Sequence, residues 1–122
     1  MEYFADYQKE AAKTAVYREA IEGLEANDQT SEMIRLVYPA LGLAGEAGEL
    51  VNKVKKLVRG DTSLSNFFFK ASLVDELGDV LWYVSALCDE LGYSMADVAQ
   101  MNLEKLAERA EAGTIKGSGD KR

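Results

Sequence analysis

Two pairs of carboxylates are the groups in this chain best placed to do chemistry. Glu46 and Glu49 stand three residues apart, and Glu76 and Asp79 repeat that spacing. On an α-helix, residues i and i+3 share a face, so each pair can converge on one point. If the two segments are helices packed antiparallel, four carboxylates surround a single site, and four like charges at close range are not tolerated without cations or protonation. All-oxygen ligation selects hard ions, so Mg²⁺ is the expected counter-charge, Mn²⁺ a substitute and Ca²⁺ a less reactive one. The alternative is a set of ordinary solvated charges, because Glu76 and Asp79 flank an apolar stripe, where cleft-lining and solvated positions both begin.

The remaining composition narrows the chemistry further. The 122 residues include no histidine and one cysteine. That excludes Ser-His and Cys-His bases, His-ligated zinc, Glu-x-x-His di-iron helices and an intramolecular disulfide. The net charge of −7 repels polyanions and argues against a nucleic-acid duplex as partner, while a small polyphosphate bridged by metal ions remains compatible. No apolar run approaches the ~18–20 residues that cross a bilayer, and the chain opens on an acidic, aromatic-bearing segment. A cytoplasmic protein with no membrane partner is expected.

Helices must position these acids, because apolar residues recur at helical spacing and turn punctuation is sparse. The spacing predicts an all-α fold of four helices. The first is expected from about Tyr3 to Glu25, burying Ala12, Ala15, Val16, Ala20 and Leu24. The second, capped by Thr30 or Ser31, runs through Leu43, Leu50, Val54 and Val58 to Arg59-Gly60-Asp61, with Pro39 marking a kink or the true start. The third spans Asn66 to Leu91 with a core stripe of Leu73, Leu77, Val80, Val84, Leu87 and Leu91. The fourth is capped by Ser94 and ends near Gly113. Residues 1–112 read as one helical domain and 113–122 as a glycine-rich basic tail.

Several other side chains can serve an anionic ligand. Lys53 and Lys56 follow Glu49 at i+4 and i+7 and can offer charge to phosphate oxygens, or simply pair with it along the helix. Tyr83, four residues after Asp79, can stack on a base or hydrogen-bond a sugar, or be a core tyrosine. Trp82 is expected to point well away, into the core or a subunit interface. Lys116, Lys121 and Arg122, among flexible glycines, can close over phosphates, or form an unstructured end. Three glycines near the first acid pair, Gly42, Gly45 and Gly48, each cost about 0.8–1 kcal/mol in a helix interior, which either close helix packing or room for phosphates and metal would explain. Phe67, Phe68 and Phe69 cannot all face one core, so another subunit is expected to cover at least one.

The segment Leu43-Ala-Gly-Glu46-Ala-Gly-Glu49-Leu50, followed by Glu76-Leu-Gly-Asp79-Val-Leu-Trp82-Tyr83 with twenty-six residues between Glu49 and Glu76, resembles the Glu-x-x-Glu … Glu-x-x-Asp signature of MazG-like nucleotide pyrophosphohydrolases, in the all-α NTP pyrophosphatase superfamily. The resemblance covers roughly Leu36 to Arg122, including Asn102-Leu-Glu-Lys105-Leu-Ala-Glu-Arg109, and only loosely the first helix. It implies a helical bundle completed by oligomerisation to a dimer or tetramer. It further implies Mg²⁺-dependent conversion of a nucleoside triphosphate to the monophosphate and pyrophosphate, with Glu46, Glu49, Glu76 and Asp79 holding metal. Glu49 then positions the water together with Glu46, and Lys53, Tyr83, Asn102, Lys105, Arg109 and the basic tail contact substrate. Purine deoxynucleotides such as dGTP are the expected substrates, in a cell's own nucleotide pool or a host pool remodelled by a virus. A non-catalytic helical oligomer, acting as a regulatory or interaction partner, is the competing reading.

Overall fold

The computed structural model describes residues 2–24 and 27–116, which form five helices and no strand: α1 (Glu2–Ala12), α2 (Tyr17–Glu22), α3 (Asp28–Arg59), α4 (Phe67–Leu91) and α5 (Met95–Ala112). The fold is all-α, as the periodicity requires. Local chemistry sets the boundaries of α4 and α5. The Asn66 side chain accepts from the Phe69 amide at 3.1 Å, and Ser94 Oγ accepts from the Ala96 and Asp97 amides. Such bonds satisfy amides that have no partner within the helix. α4 ends at Gly92, whose φ of +73° suits a residue without Cβ, and α5 ends at Gly113 in the same way.

The N-terminal third departs from the expected single helix. Between α1 and α2 the chain tightens into i→i+3 bonds, from Lys13, Thr14 and Ala15 amides to Glu10, Ala11 and Ala12 carbonyls. No proline or glycine forces this break. Thr14 instead receives a hydrogen bond from Trp82 Nε1 at 2.8 Å while donating to the Ala11 carbonyl, so a tertiary contact holds the joint. The break also shifts the buried register: Val16, Ala20 and Leu24 are exposed, and Tyr17 and Ile21 go into the core. A second difference lies at the start of α3, where Asn27, rather than Thr30 or Ser31, is the cap, accepting from the Thr30 amide at 2.8 Å. Pro39 is not the start of α3; the helix continues through it, and its ring is fully buried.

The central unit is the pair α3 and α4. Gly42 meets Tyr83 while Lys53 reaches Ser72 and Glu76, so the helices run antiparallel. α1 lies along α4, tied by the Gln8 side chain, which donates to Asp89 and to the Tyr93 carbonyl and accepts from the Met95 amide. α2 folds onto α3, stacking Tyr17 on Tyr38 with centroids 4.8 Å apart. The buried core is small: Tyr17, Ile21 and Ala86 cluster, with Ala15, Ile34 and Trp82 packed against them, and Cys88 and Met95 are buried as well. Leu77 and Leu91 of the expected α4 stripe are more than half exposed, as is Val58 of α3. Leu91 borders the groove between α4 and α5. Among the described residues no helix is long and apolar enough to cross a membrane.

Candidate active site

Antiparallel packing of α3 on α4 brings Glu46, Glu76 and Asp79 together: each offers a carboxylate oxygen to a cluster whose members lie within 4.8 Å of one another. Glu76 is the anchored member. Lys53 Nζ donates to its Oε1 at 2.8 Å and to the Ser72 carbonyl at 3.3 Å. This ammonium, aided by the facing Glu46 carboxyl, holds the Glu76 carboxyl below the usual carboxylate range, and Glu76 in turn raises Lys53. Glu46 moves the opposite way. Its carboxyl is raised first by the hydrogen-bonding demand of Glu76, then by burial and by the charges of Asp79, Glu76 and Glu49. Two facing carboxylates have no proton to exchange when both are ionised, and Glu76 Oε2 is buried without a hydrogen-bond partner. A proton or a cation between them resolves the conflict. The donor set is all oxygen, which fits a hard divalent ion.

Glu49 stands outside this cluster. Successive residues turn about 100° around the axis, so Lys53, at i+7 from Glu46, points within ~20° of it, toward α4, while Glu49 at i+3 is turned ~60° away. Its side chain is exposed, yet its charge still raises both Glu46 and Lys53. The three-residue spacing thus delivers three acids to one point and leaves the fourth beside them. Lys56 is exposed near the end of α3.

Beside the acids opens a bay of about 300 Å³ lined by Thr14, Glu46, Asp79, Trp82 and Tyr83. Tyr83 packs against α3 where Gly42 leaves room: a Cβ at that position would lie 2.1 Å from the ring. Burial raises the Tyr83 phenol, with smaller contributions from Tyr38, Glu46 and Asp79. Trp82 packs on the core, as expected, but also borders the bay rather than pointing well away from it. Its ring meets Tyr83 edge-on at 5.0 Å and its Nε1 donates to Thr14, so the α1–α2 joint forms one wall of the bay. Tyr7 of α1 belongs to the same neighbourhood, its phenol raised chiefly by burial and further by Tyr3 and Asp79. Adjacency to Tyr83 was the signal available for Trp82; nothing in the sequence marked Thr14.

The α5 residues lie elsewhere. Asn102 and Lys105 line a separate, larger groove of about 560 Å³ whose other walls include Leu43, Val84, Leu87 and Met101. Leu43 and Val84 face this groove while their near neighbours Glu46 and Tyr83 face the bay, so the two openings flank opposite sides of the α3–α4 pair. Within a protomer, Asn102 and Lys105 are not brought to the carboxylates. Arg109 is buried in α5. Lys116 is exposed beyond α5, and Lys121 and Arg122 fall outside the described residues.

Residues 39–114 match the MazG nucleotide pyrophosphohydrolase domain, a span that holds every acid of the cluster together with Asn102, Lys105 and Arg109. The chain belongs to the MazG nucleotide pyrophosphohydrolase family. It is 40% identical over 121 residues to the Gene 37 protein of Mycobacterium phage L5, covering 95% of this chain and 96% of that protein. It is also 35% identical over 74 residues to the Bacillus subtilis (strain 168) protein named Uncharacterized protein YvdC, covering 57% of this chain and 70% of that one. No solved structure matches. MazG enzymes depend on a metal ion, and the cluster of Glu46, Glu76 and Asp79 is where this MazG domain has the donors for one.

Proposed function

We propose that the protein hydrolyses nucleoside triphosphates to the monophosphate and pyrophosphate, with Mg²⁺ held by Glu46, Glu76 and Asp79 and with Glu49 beside it. The observation that carries this reading is the crowding of three carboxylates around the unpartnered Glu76 Oε2, within a MazG domain. When bound, the metal supplies charge neutralisation of the polyphosphate and a lowered pKa for a coordinated water. The chain's own groups do the rest. Lys53 fixes the Glu76 carboxylate and keeps it ionised. Glu49, exposed and one turn along α3, is free of the Lys53 contact and is placed to orient a water and accept its proton. Glu46, whose carboxyl is raised, shares that task.

Tyr83 and Trp82 present aromatic surface next to the acids, suited to stacking a nucleobase or packing a sugar. Lys116, Lys121 and Arg122 add cationic charge for the phosphates in this reading. Asn102, Lys105 and Arg109 of α5 remain proposed substrate contacts, as the family resemblance implies. A purine deoxynucleotide such as dGTP is the proposed substrate, drawn from a cytoplasmic pool; the resemblance to a phage protein is consistent with a host pool.

The test is pyrophosphate release from each common NTP and dNTP, with Mg²⁺ and with chelator, and with Glu49→Gln as control. Metal-dependent release, suppressed in Glu49→Gln, is expected. A folded protein that cleaves none of them would instead support the non-catalytic helical oligomer.

A further inference from the structure

Trp82 gives the acid bay its broadest ring, and that ring is held largely from outside the matched MazG span. Three contacts hold it. Its Nε1 donates to Thr14 Oγ at 2.8 Å, the Tyr83 ring meets it edge-on with centroids 5.0 Å apart, and the Tyr17 ring meets it nearly perpendicular at 6.3 Å. Thr14 and Tyr17 both precede residues 39–114. Tyr17 is buried in the cluster against which Trp82 packs, so it reaches the indole from the core, while Thr14, Glu46, Asp79 and Tyr83 meet the opening.

Tyr17 is itself fixed from two further sides. Its ring stacks on Tyr38 of α3 with centroids 4.8 Å apart, and its phenol donates to Glu90 Oε1 at 2.8 Å. Glu90 is little exposed; the same oxygen accepts from Arg18 Nε at 2.7 Å, and Arg35 Nε lies 3.9 Å from the other. A largely buried carboxylate holds such donors firmly, because losing one leaves it short of a partner. α2 has six residues and no side-chain cap, too few to persist alone, so this clamp seats it. Glu90 and Trp82 stand about 12 Å apart along α4, and Tyr17 spans between them. Phenylalanine would fill the same core space; the hydroxyl adds the tether that sets where the ring stands against the indole.

We propose that Tyr17 is a positioning residue for nucleotide binding: tethered to Glu90, its ring holds Trp82 in place as the aromatic wall of the acid bay. This rests on the bay being where the nucleotide sits. Tyr17 acts through the indole and leaves the acids alone, so its loss is read in affinity and not in turnover. The test is titration calorimetry of the four common dNTPs in Ca²⁺, the less reactive ion, on wild type, Tyr17→Phe, Trp82→Phe and the double variant. Tyr17→Phe keeps the ring and cuts the tether. It should weaken the tightest-bound dNTP about fivefold, the scale of one aromatic contact or hydrogen bond, and shift the emission of Trp82, the sole tryptophan. In Mg²⁺ it should raise KM by a similar factor and hold kcat within about twofold. On top of Trp82→Phe it should have no further effect. Unchanged affinity and emission in Tyr17→Phe, a fall in kcat in place of the rise in KM, or the full loss repeated on top of Trp82→Phe would overturn the proposal and leave the bay as the binding site. A wild type that binds none of the four in Ca²⁺ would overturn the bay reading and this proposal with it.

Discussion

Substituting Gly42 by alanine separates the two explanations for the glycines around the acid pair. An alanine in an exposed helix interior is ordinarily worth about 0.8–1 kcal/mol over glycine. At Gly45 and Gly48 an added Cβ meets nothing within 4 Å, so each substitution should stabilise by about that amount. At Gly42 the same Cβ would lie 2.1, 2.3 and 2.6 Å from three ring carbons of Tyr83. Carbon pairs settle at about 3.5–4.0 Å, so the ring must retreat by roughly 1.5 Å or α3 and α4 must part. Overpacking of this kind costs about 1–3 kcal/mol. Gly42→Ala should therefore come out about 1–3 kcal/mol less stable than Gly45→Ala by chemical denaturation. Adding Tyr83→Ala to Gly42→Ala should recover most of that difference as a favourable coupling. If Gly42→Ala stabilises as much as Gly45→Ala, the close approach of Tyr83 to α3 is wrong, and with it the floor of the bay.

Other perturbations read other parts of the account. Thr14→Val removes the acceptor of Trp82 Nε1 and should cost about 1 kcal/mol, while shifting the emission of the sole tryptophan; unchanged emission would place the α1–α2 joint away from the bay. Lys53→Met should raise the Glu76 carboxyl and weaken activity most at the acidic end of the pH profile, where Glu76 would then be protonated; an unaltered profile removes the role of the ion pair. A triphosphate added at a hundred times its dissociation constant should stabilise the fold by about 2.7 kcal/mol in Mg²⁺ or Ca²⁺. No thermal shift with metal present would count against the site. Tyr17, whose phenol is pushed up to about 12 by burial and by its bond to Glu90, stabilises the fold fully below pH 10. That contribution should fade as pH rises toward 12, and Tyr17→Phe should flatten the stability profile there.

The parts of the fold legible in the sequence are those decided locally. Asn66, Ser94, Gly92 and Gly113 act on their own helix ends, and the i,i+3 pairs place acids on one face whatever the partner. Contacts made across the fold were not legible. The joint at Thr14 depends on Trp82, sixty-eight residues away in sequence, so the first helix reads as unbroken. Periodicity alone turns Trp82 away from the acids; its place beside the bay shows only once Thr14 meets it. Glu49 looks equivalent to Glu46 until the direction of α4 is known; only then does Lys53 prove the closer neighbour. Asn102 and Lys105 share a face of α5, but which side of the α3–α4 pair that face meets is set by the turn at Gly92 and the docking of Gln8 on Met95. Leu77 and Val58 carry the apolar signature of a core yet are more than half exposed, because periodicity marks an apolar face without saying what covers it.

Phosphorus-31 spectroscopy of the products formed from dGTP and the other triphosphates, with Mg²⁺ present, tests the central claim most directly. The account predicts a nucleoside monophosphate and pyrophosphate in equal amounts, abolished by chelation and suppressed in Glu76→Gln. Diphosphate with orthophosphate, or turnover that survives both the chelator and the substitution, would contradict it.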